Sequence, residues 1–412
     1  MGLLTLVLLA LPAPVMAGEE STLSAVEAVR LGVAASPSVA AARHRYEAAL
    51  AALRGARAPF NPQAELAPGV GFTNGNAVLS QQLDIGGRLS AQSRSAAGAR
   101  DAAAAQLRQA ELETAEAVTT AYFDLARARA LESVARESVE LVRQIRDAVR
   151  RREEIGEAPR VQVTRAEIEL ARAEQELVRA GGAVKARLAA LNLLLGRDPA
   201  APLATSTPMA LPDEPETAER LLIAAERSRP EVQVARGLVA ARRGEVDLAR
   251  AERRPELFAE LAMDAWSLDR EPFNSRDLGF QARLAFPLLD RGRLRAEVAR
   301  ARSGVAAQEA ELESVRRALR VEVTAAAAEL SAARAAVLAY QEQVLPRSRE
   351  LLRATRAGFE AGLTSFLEVL EAQRLARQTR TEYENTLFEA VRARIALDRA
   401  LGRMPGLPEQ SR

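Results

Sequence analysis

Catalysis needs nucleophiles, bases, metal ligands or charged pairs at usable spacings, and this chain supplies only the last. Its 412 residues include no cysteine and one histidine, His44. That composition excludes a thiolate nucleophile, a disulfide and a zinc site built from Cys and His. No Gly-rich phosphate loop, no nucleophile beside a base and no zinc-ligand spacing occurs either. What remains is carboxylate and guanidinium. Glu368 and Glu371 stand at i and i+3 and so share one face of a helix. Glu65, Asp84, Glu256, Glu260, Asp264 and Arg283 recur on the polar side of short extended segments. Such groups hydrate a surface and attract or repel ions, and without His or Cys they suit only the harder cations. On spacing alone the Glu368–Glu371 pair reads as a solvated helix face, the strand set as generic polar lining and His44 as incidental. The expectation is no enzyme, no cofactor and no resident metal.

Four extended segments, at about 62–72, 76–85, 256–266 and 277–286, carry the second set. Each is close to the ten residues with which a tilted strand crosses a bilayer. Their alternation is clean. Leu257, Ala259, Leu261, Met263 and Ala265 interleave with Glu256, Phe258, Glu260, Ala262 and Asp264, and Leu278, Phe280, Ala282, Leu284 and Phe286 with Asp277, Gly279, Gln281, Arg283 and Ala285. This pattern equally describes a half-buried soluble sheet. Aromatics shift the reading toward lipid: Phe60, Phe72, Phe258, Trp266, Phe273, Phe280 and Phe286 lie in or beside these strands, as interfacial girdles require. Four strands cannot close a barrel with every edge paired, so a membrane reading demands several copies of the chain.

The elements between the strands are long helices, and they occur twice. Ser36-Pro37 matches Arg229-Pro230 and Pro62 matches Pro255 at an offset of 193. Gly87-Arg88 matches Gly292-Arg293 at 205, and Gly156 matches Gly362 and Leu195-Gly196-Arg197 matches Leu401-Gly402-Arg403 at 206. The halves, 18–197 and 216–403, therefore share one plan, with 12 residues inserted before Gly292, a Pro-rich surface connection at 198–215 and a tail at 404–412. Each half reads as short helix, helix, extended hairpin, very long helix, turn, long helix. Ser24 to Glu27 forms a capping box for the first. Arg88 to Glu153 lacks proline, has only Gly98 as a weak point, and would run about 100 Å. Arg293 to Glu360 repeats it with a kink or break expected at Pro346. Tyr383, Leu387, Ala390, Leu397 and Leu401 mark a coiled-coil seam in which Arg394 is the exception.

Residues 1–17 read as a secretory signal, with an apolar core from Leu3 to Leu11, a small-residue cleavage site at Val15-Met16-Ala17, and no basic residue before Arg30. No run is long enough for a spanning helix, so a membrane crossing must be a closed barrel. The 57 basic residues nearly balance 55 acidic ones, which argues against nucleic acid as a partner.

From Leu23 to Arg403 the chain resembles the TolC-like outer-membrane efflux family, most closely its heavy-metal or drug branch. The resemblance rests on Leu23 to Ala28 with Ser36-Pro37, Gly86-Gly87-Arg88 with Asp290-Arg291-Gly292-Arg293, Val344-Leu345-Pro346, and Gly362 to Gln373. It implies a mainly α fold with membrane β, in which a homotrimer pools four strands per protomer into a 12-stranded β-barrel above a periplasmic α-helical tunnel. It also implies outer-membrane lipid, a periplasmic adaptor (membrane fusion) protein and a proton-driven inner-membrane pump as partners. The family's V-D-V-L-D pattern falls on Leu367 to Glu371, which makes Glu368 and Glu371 the expected periplasmic constriction, with Arg160 and Arg165 as gate partners. Type I protein secretion and a soluble periplasmic coiled-coil role are the alternatives.

Overall fold

The computed structural model describes residues 21–67, 75–266, 278–287 and 291–405. The signal segment, the C-terminal tail and parts of both hairpins lie outside these, including Phe72, Phe273 and Asp277.

Both halves follow the expected order. The first comprises strand β1 (Ser21–Leu23), helices α1 (Ala25–Ala35) and α2 (Pro37–Arg57), strands β2 (Gln63–Ala67) and β3 (Gly75–Leu83), and helices α3 (Arg88–Glu154) and α4 (Arg160–Leu194). The connection holds strand β4 (Leu203–Thr205). The second half comprises α5 (Ala218–Ser228), α6 (Pro230–Ala251), β5 (Glu256–Trp266), β6 (Leu278–Ala285), α7 (Arg293–Ala339), α8 (Leu345–Glu360) and α9 (Phe366–Ala400). None of these helices is by itself long and apolar enough to span a bilayer. The segment read as a Pro-rich connection is thus tied down: β4 pairs in parallel with β1. The Tyr122 hydroxyl donates to the Leu23 carbonyl at 2.9 Å and accepts from the Thr207 amide at 2.8 Å, pinning both segments to α3.

The helix α3 contains 67 residues. Its counterpart is divided into 47 residues of α7, a five-residue π turn over Tyr340–Val344 and 16 residues of α8, one residue more in all. A π turn is how a helix absorbs a single inserted residue without breaking. The change of repeat offset from 205 to 206 is that residue. The break expected at Pro346 therefore falls a turn earlier, and Pro346 sits in the first turn of α8, where its missing N–H costs nothing. The turn is clasped to α9: the Tyr340 hydroxyl donates to Glu382 at 3.1 Å and Gln341 to the Tyr383 hydroxyl at 2.9 Å. Burial, and then Glu382 beside it, raises the Tyr340 phenol above its usual range, so it remains the donor at any physiological pH.

The two halves meet backbone to backbone. A methyl group added at Gly98 of α3 would overlap the Ala241 nitrogen of α6, and one at Gly237 or Gly244 would overlap Ala102 or Ser95. Gly98 is a contact, not the weak point its helix propensity suggests. At the far end of α6, Arg229, 5% exposed, binds Glu231, both oxygens of Glu322 and the Arg399 carbonyl, locking the α5–α6 junction to α7 and α9. The seam of α9 is as expected: Leu387, Ala390, Leu397 and Leu401 are buried, and Arg394 turns aside to Asp398.

The strands form one antiparallel sheet in the order β2-β3-β5-β6, so the joint between halves is also the middle of the sheet. Replacing Gly98 with Leu should destabilise the protein by about 1–3 kcal/mol through forced separation of α3 and α6. Gly182→Ala, with open space around it in α4, should instead be neutral or stabilising by up to about 1 kcal/mol. Thermal unfolding followed by circular dichroism in detergent distinguishes the two.

Candidate functional site: a polar sheet face and a helical tip

Strand register sorts the predicted polar residues. Gln63, Ser80, Glu260 and Gln281 form one cross-strand row, and Glu65, Val78, Ala262 and Gly279 the next on the same face. Glu260 is the centre of this face. Its carboxylate accepts from Arg283 Nε at 2.6 Å, Gln281 at 2.8 Å and Ser80 at 3.4 Å, and the Arg283 guanidinium lies 4.1 Å from the Phe258 ring centroid. Paired and hydrogen-bonded in this way, a carboxylate tolerates burial at 5% exposure. The opposite face presents Leu66, Leu79, Leu261, Leu284 and Phe280, the last 76% exposed.

Two predicted lining residues have other employment. Asp84 lies beyond the end of β3, and its two oxygens accept from the amides of Arg88 and Leu89 at 2.7 and 3.0 Å, so it caps the N-terminus of α3. Glu256 pairs with Arg88 at the junction of sheet and helix. Neither role is visible in alternation, because a residue at a strand end is read as part of the strand. Asp264 belongs to β5, directly opposite Asn76.

The other end of the molecule is a pair of helical hairpins. Gly156 and Gly362 adopt left-handed φ of 80° and 78°, and the amides after them return to the Arg152 and Gly358 carbonyls, so both hairpins turn by the same glycine C-cap. Ile145, Val149, Val163, Phe359, Phe366 and Val369 pack the hairpins together. Arg152 reinforces this contact, donating to the Phe359 carbonyl at 2.7 Å while lying 4.5 Å from that ring centroid. Arg356 reaches Gln144 at 3.0 Å, and Arg374 pairs with Glu169.

Within this tip Glu368 is not a free carboxylate. It accepts from the Ser365 amide at 2.7 Å while its own amide donates to Ser365 Oγ at 3.3 Å, a capping box at the start of α9. The Ser-x-x-Glu signature that locates the first helix was equally legible here. Glu371 is exposed and, among the described residues, makes no side-chain hydrogen bond or ion pair. The predicted gate partners do not meet the acidic pair within one protomer: Arg160 lies 3.9 Å from Glu153, and Arg165 is exposed and unpaired among the described residues. Among the described residues no group of three His, Cys, Asp or Glu side chains could hold a metal.

The profile of the outer membrane efflux protein family matches residues 31–197 and 221–403. The chain belongs to this family. It is an outer-membrane efflux channel with a periplasmic helical body, and it is not an enzyme. It is 28% identical over 331 residues to the cobalt-zinc-cadmium resistance protein CzcC of Cupriavidus metallidurans, covering 79% of this chain and 77% of that protein. It is 29% identical to protein CyaE of Bordetella pertussis over 95% of this chain and 87% of that one. The structure of CusC superposes with a TM-score of 0.76 at 20% identity over 92% of each chain, and the outer-membrane channel OprN with 0.75 at 20% over 93% and 91%. These likenesses establish the TolC-like fold, and family membership sets the soluble coiled-coil alternative aside.

Ser365→Ala should cost the start of α9 about 1 kcal/mol and speed amide exchange in its first turn. Ser365→Asp, which keeps an acceptor there, should restore protection.

Proposed function

We propose that three copies of this chain form the exit duct of a tripartite efflux system. The duct passively conducts metal cations or drugs received from a proton-driven inner-membrane pump through a periplasmic adaptor. Similarity to the cobalt-zinc-cadmium resistance protein CzcC supports metal cations as cargo. Channels of this family work with an adaptor and an inner-membrane pump, and the exposed Ile155 and Leu363 at the two hairpin turns offer that adaptor apolar contacts.

The observation that carries the assembly is an interface made once where the duplication demands it twice. Inside the chain, α3 of the first half packs on α6 of the second and β3 pairs with β5. The counterpart contacts, α7 on α2 and β6 on β2, are not formed within the chain as a packed interface. The burial of the equivalent helices supports this reading. Val39, Ala42 and Leu53 are the buried residues of α2 and match the buried Val232, Ala235 and Val246 of α6. Ala241 and Gly244, which meet α3, are matched on α2 by Ala48 and Ala51, both exposed. Small residues that admit close helix approach, left uncovered, are filled by the α7 of the next copy, and β6 joins the next β2. Repetition closes a twelve-stranded barrel whose apolar face meets lipid, with Glu65, Glu260 and Arg283 toward its hydrated lumen.

At the tip, threefold symmetry makes Glu371 a ring at the narrowest point, with Glu368 beside it holding the helix start in place. Arg160 and Arg165 are then available to the acidic ring of a neighbouring subunit. Such a ring concentrates cations by charge alone.

Two measurements test this reading. Ala48→Trp should leave the helical content unchanged yet abolish trimers in detergent, seen by light scattering; intact trimers would place the interface elsewhere. Glu371→Gln should reduce cation preference in planar bilayers several-fold, whereas Glu368→Gln, which retains a capping acceptor, should change it less. Equal, unaltered selectivity in both would remove the pair from the constriction.

A further inference from the structure

Helices α4 and α9 both pack along α3 and meet each other near the tip, through the apolar cluster and the Arg374–Glu169 pair, and a groove lies between them above it. It consists of two hollows of about 430 and 310 Å³ that share Ala135, Glu176, Arg179 and Arg377 and so form one trough. Its floor comes from α3, neutral side chains together with Arg127. Its walls carry Arg172, Arg179 and Arg187 from α4 and Arg374 and Arg377 from α9, against Glu169 and Glu176 in the lining and Asp124, which pairs with both Arg127 and Arg187. Arg172 and Arg374 share Glu169, Arg179 stands 3.9 Å from Glu176, and Arg377 has no partner among the described residues. Six guanidinium groups against three carboxylates leave three positive charges per chain. The floor is polar where it matters for a charged guest: Gln373, 5% exposed, donates to Ser138 at 2.8 Å and holds α9 to α3 beneath the arginines.

The direction in which this trough opens follows from helix geometry. At 100° per residue, Arg374 and Gln378 lie within about 60° and 20° of Glu371 around α9. The Arg374–Gln378 edge of the trough therefore lies on the same side of α9 as the unpartnered carboxylate, with Arg377 about 120° round from Glu371 in the trough lining. We infer that this groove is an anion-attracting belt in the wall of the duct, set directly above the acidic ring. This rests on the placement of Glu371 at the pore given above. Three copies of the groove surround the conduit with guanidinium groups whose planar forks suit carboxylate and phosphate oxygens. The channel wall is then bipolar. An acidic ring admits cationic groups and a basic belt above it accepts anionic ones, so the preferred cargo is zwitterionic or a cation accompanied by its anion, not a bare cation.

The absence of native cysteine makes a direct test possible. Gln378→Cys places a single thiol at the mouth of the trough without touching any arginine. In the purified trimer, a negatively charged methanethiosulfonate should modify it about tenfold faster than a positively charged one, relative to a free thiol. Adding Arg179→Gln and Arg377→Gln should bring that ratio close to the free-thiol value. In planar bilayers, modification by the anionic reagent should lower single-channel conductance. A rate ratio at or below that of the free thiol overturns the basic belt. A high ratio with unchanged conductance overturns its place in the duct wall. The same reagent on Glu371→Cys separates the two readings: block there but not at Gln378→Cys leaves the constriction standing and removes the belt, whereas no block at either removes both.

Discussion

The structure depends on the contact between α3 and α6. An α-helix normally approaches another at the distance set by its side chains, and here that distance collapses because Gly98, Gly237 and Gly244 have none. The contact fuses two equivalent halves along their length and brings β3 beside β5, so the sheet is continuous across the duplication. A single chain can satisfy this contact once. Its repeat on the other side is left as an exposed helix face and two unpaired strand edges, which the proposed assembly fills with further copies.

Length and charge then divide the labour. The sheet end has a polar face organised around Glu260 and Arg283 and an apolar face ending in Phe280, an arrangement suited to water on one side and hydrocarbon on the other. The helical end is held by arginines that cross between hairpins, Arg152 to Phe359, Arg356 to Gln144 and Arg374 to Glu169. Contacts of this exposed kind are individually weak, so the tip is secured by several marginal links around a small apolar core. The π turn, clasped to α9 by Tyr340 and Gln341, is where the second long helix departs from the first, and it makes the two hairpins unequal despite their common ancestry.

Arginine serves more than one purpose along the chain. At Arg229 it is buried and fully bonded, a structural joint between helices. At Arg88 and Arg152 it ties one element to another. At Arg377 it is left exposed and unmatched. The same side chain is scaffold or electrostatic field according to what surrounds it, and composition alone cannot tell these apart.

The sequence by itself determined the duplicated plan, the four alternating strands, the long helices and their glycine turns, because these follow from local periodicity and backbone preference. It also contained the π turn, as a one-residue change of repeat offset, and the second capping box at Ser365 and Glu368. Tertiary structure alone decided what individual polar residues do. Asp84 became a helix cap in place of a lining residue, Glu368 is engaged while Glu371 is free, and Gly98 is a point of contact where propensity suggested weakness. Each outcome depends on which neighbour from a distant part of the chain arrives beside the residue, and one-dimensional spacing carries no record of that.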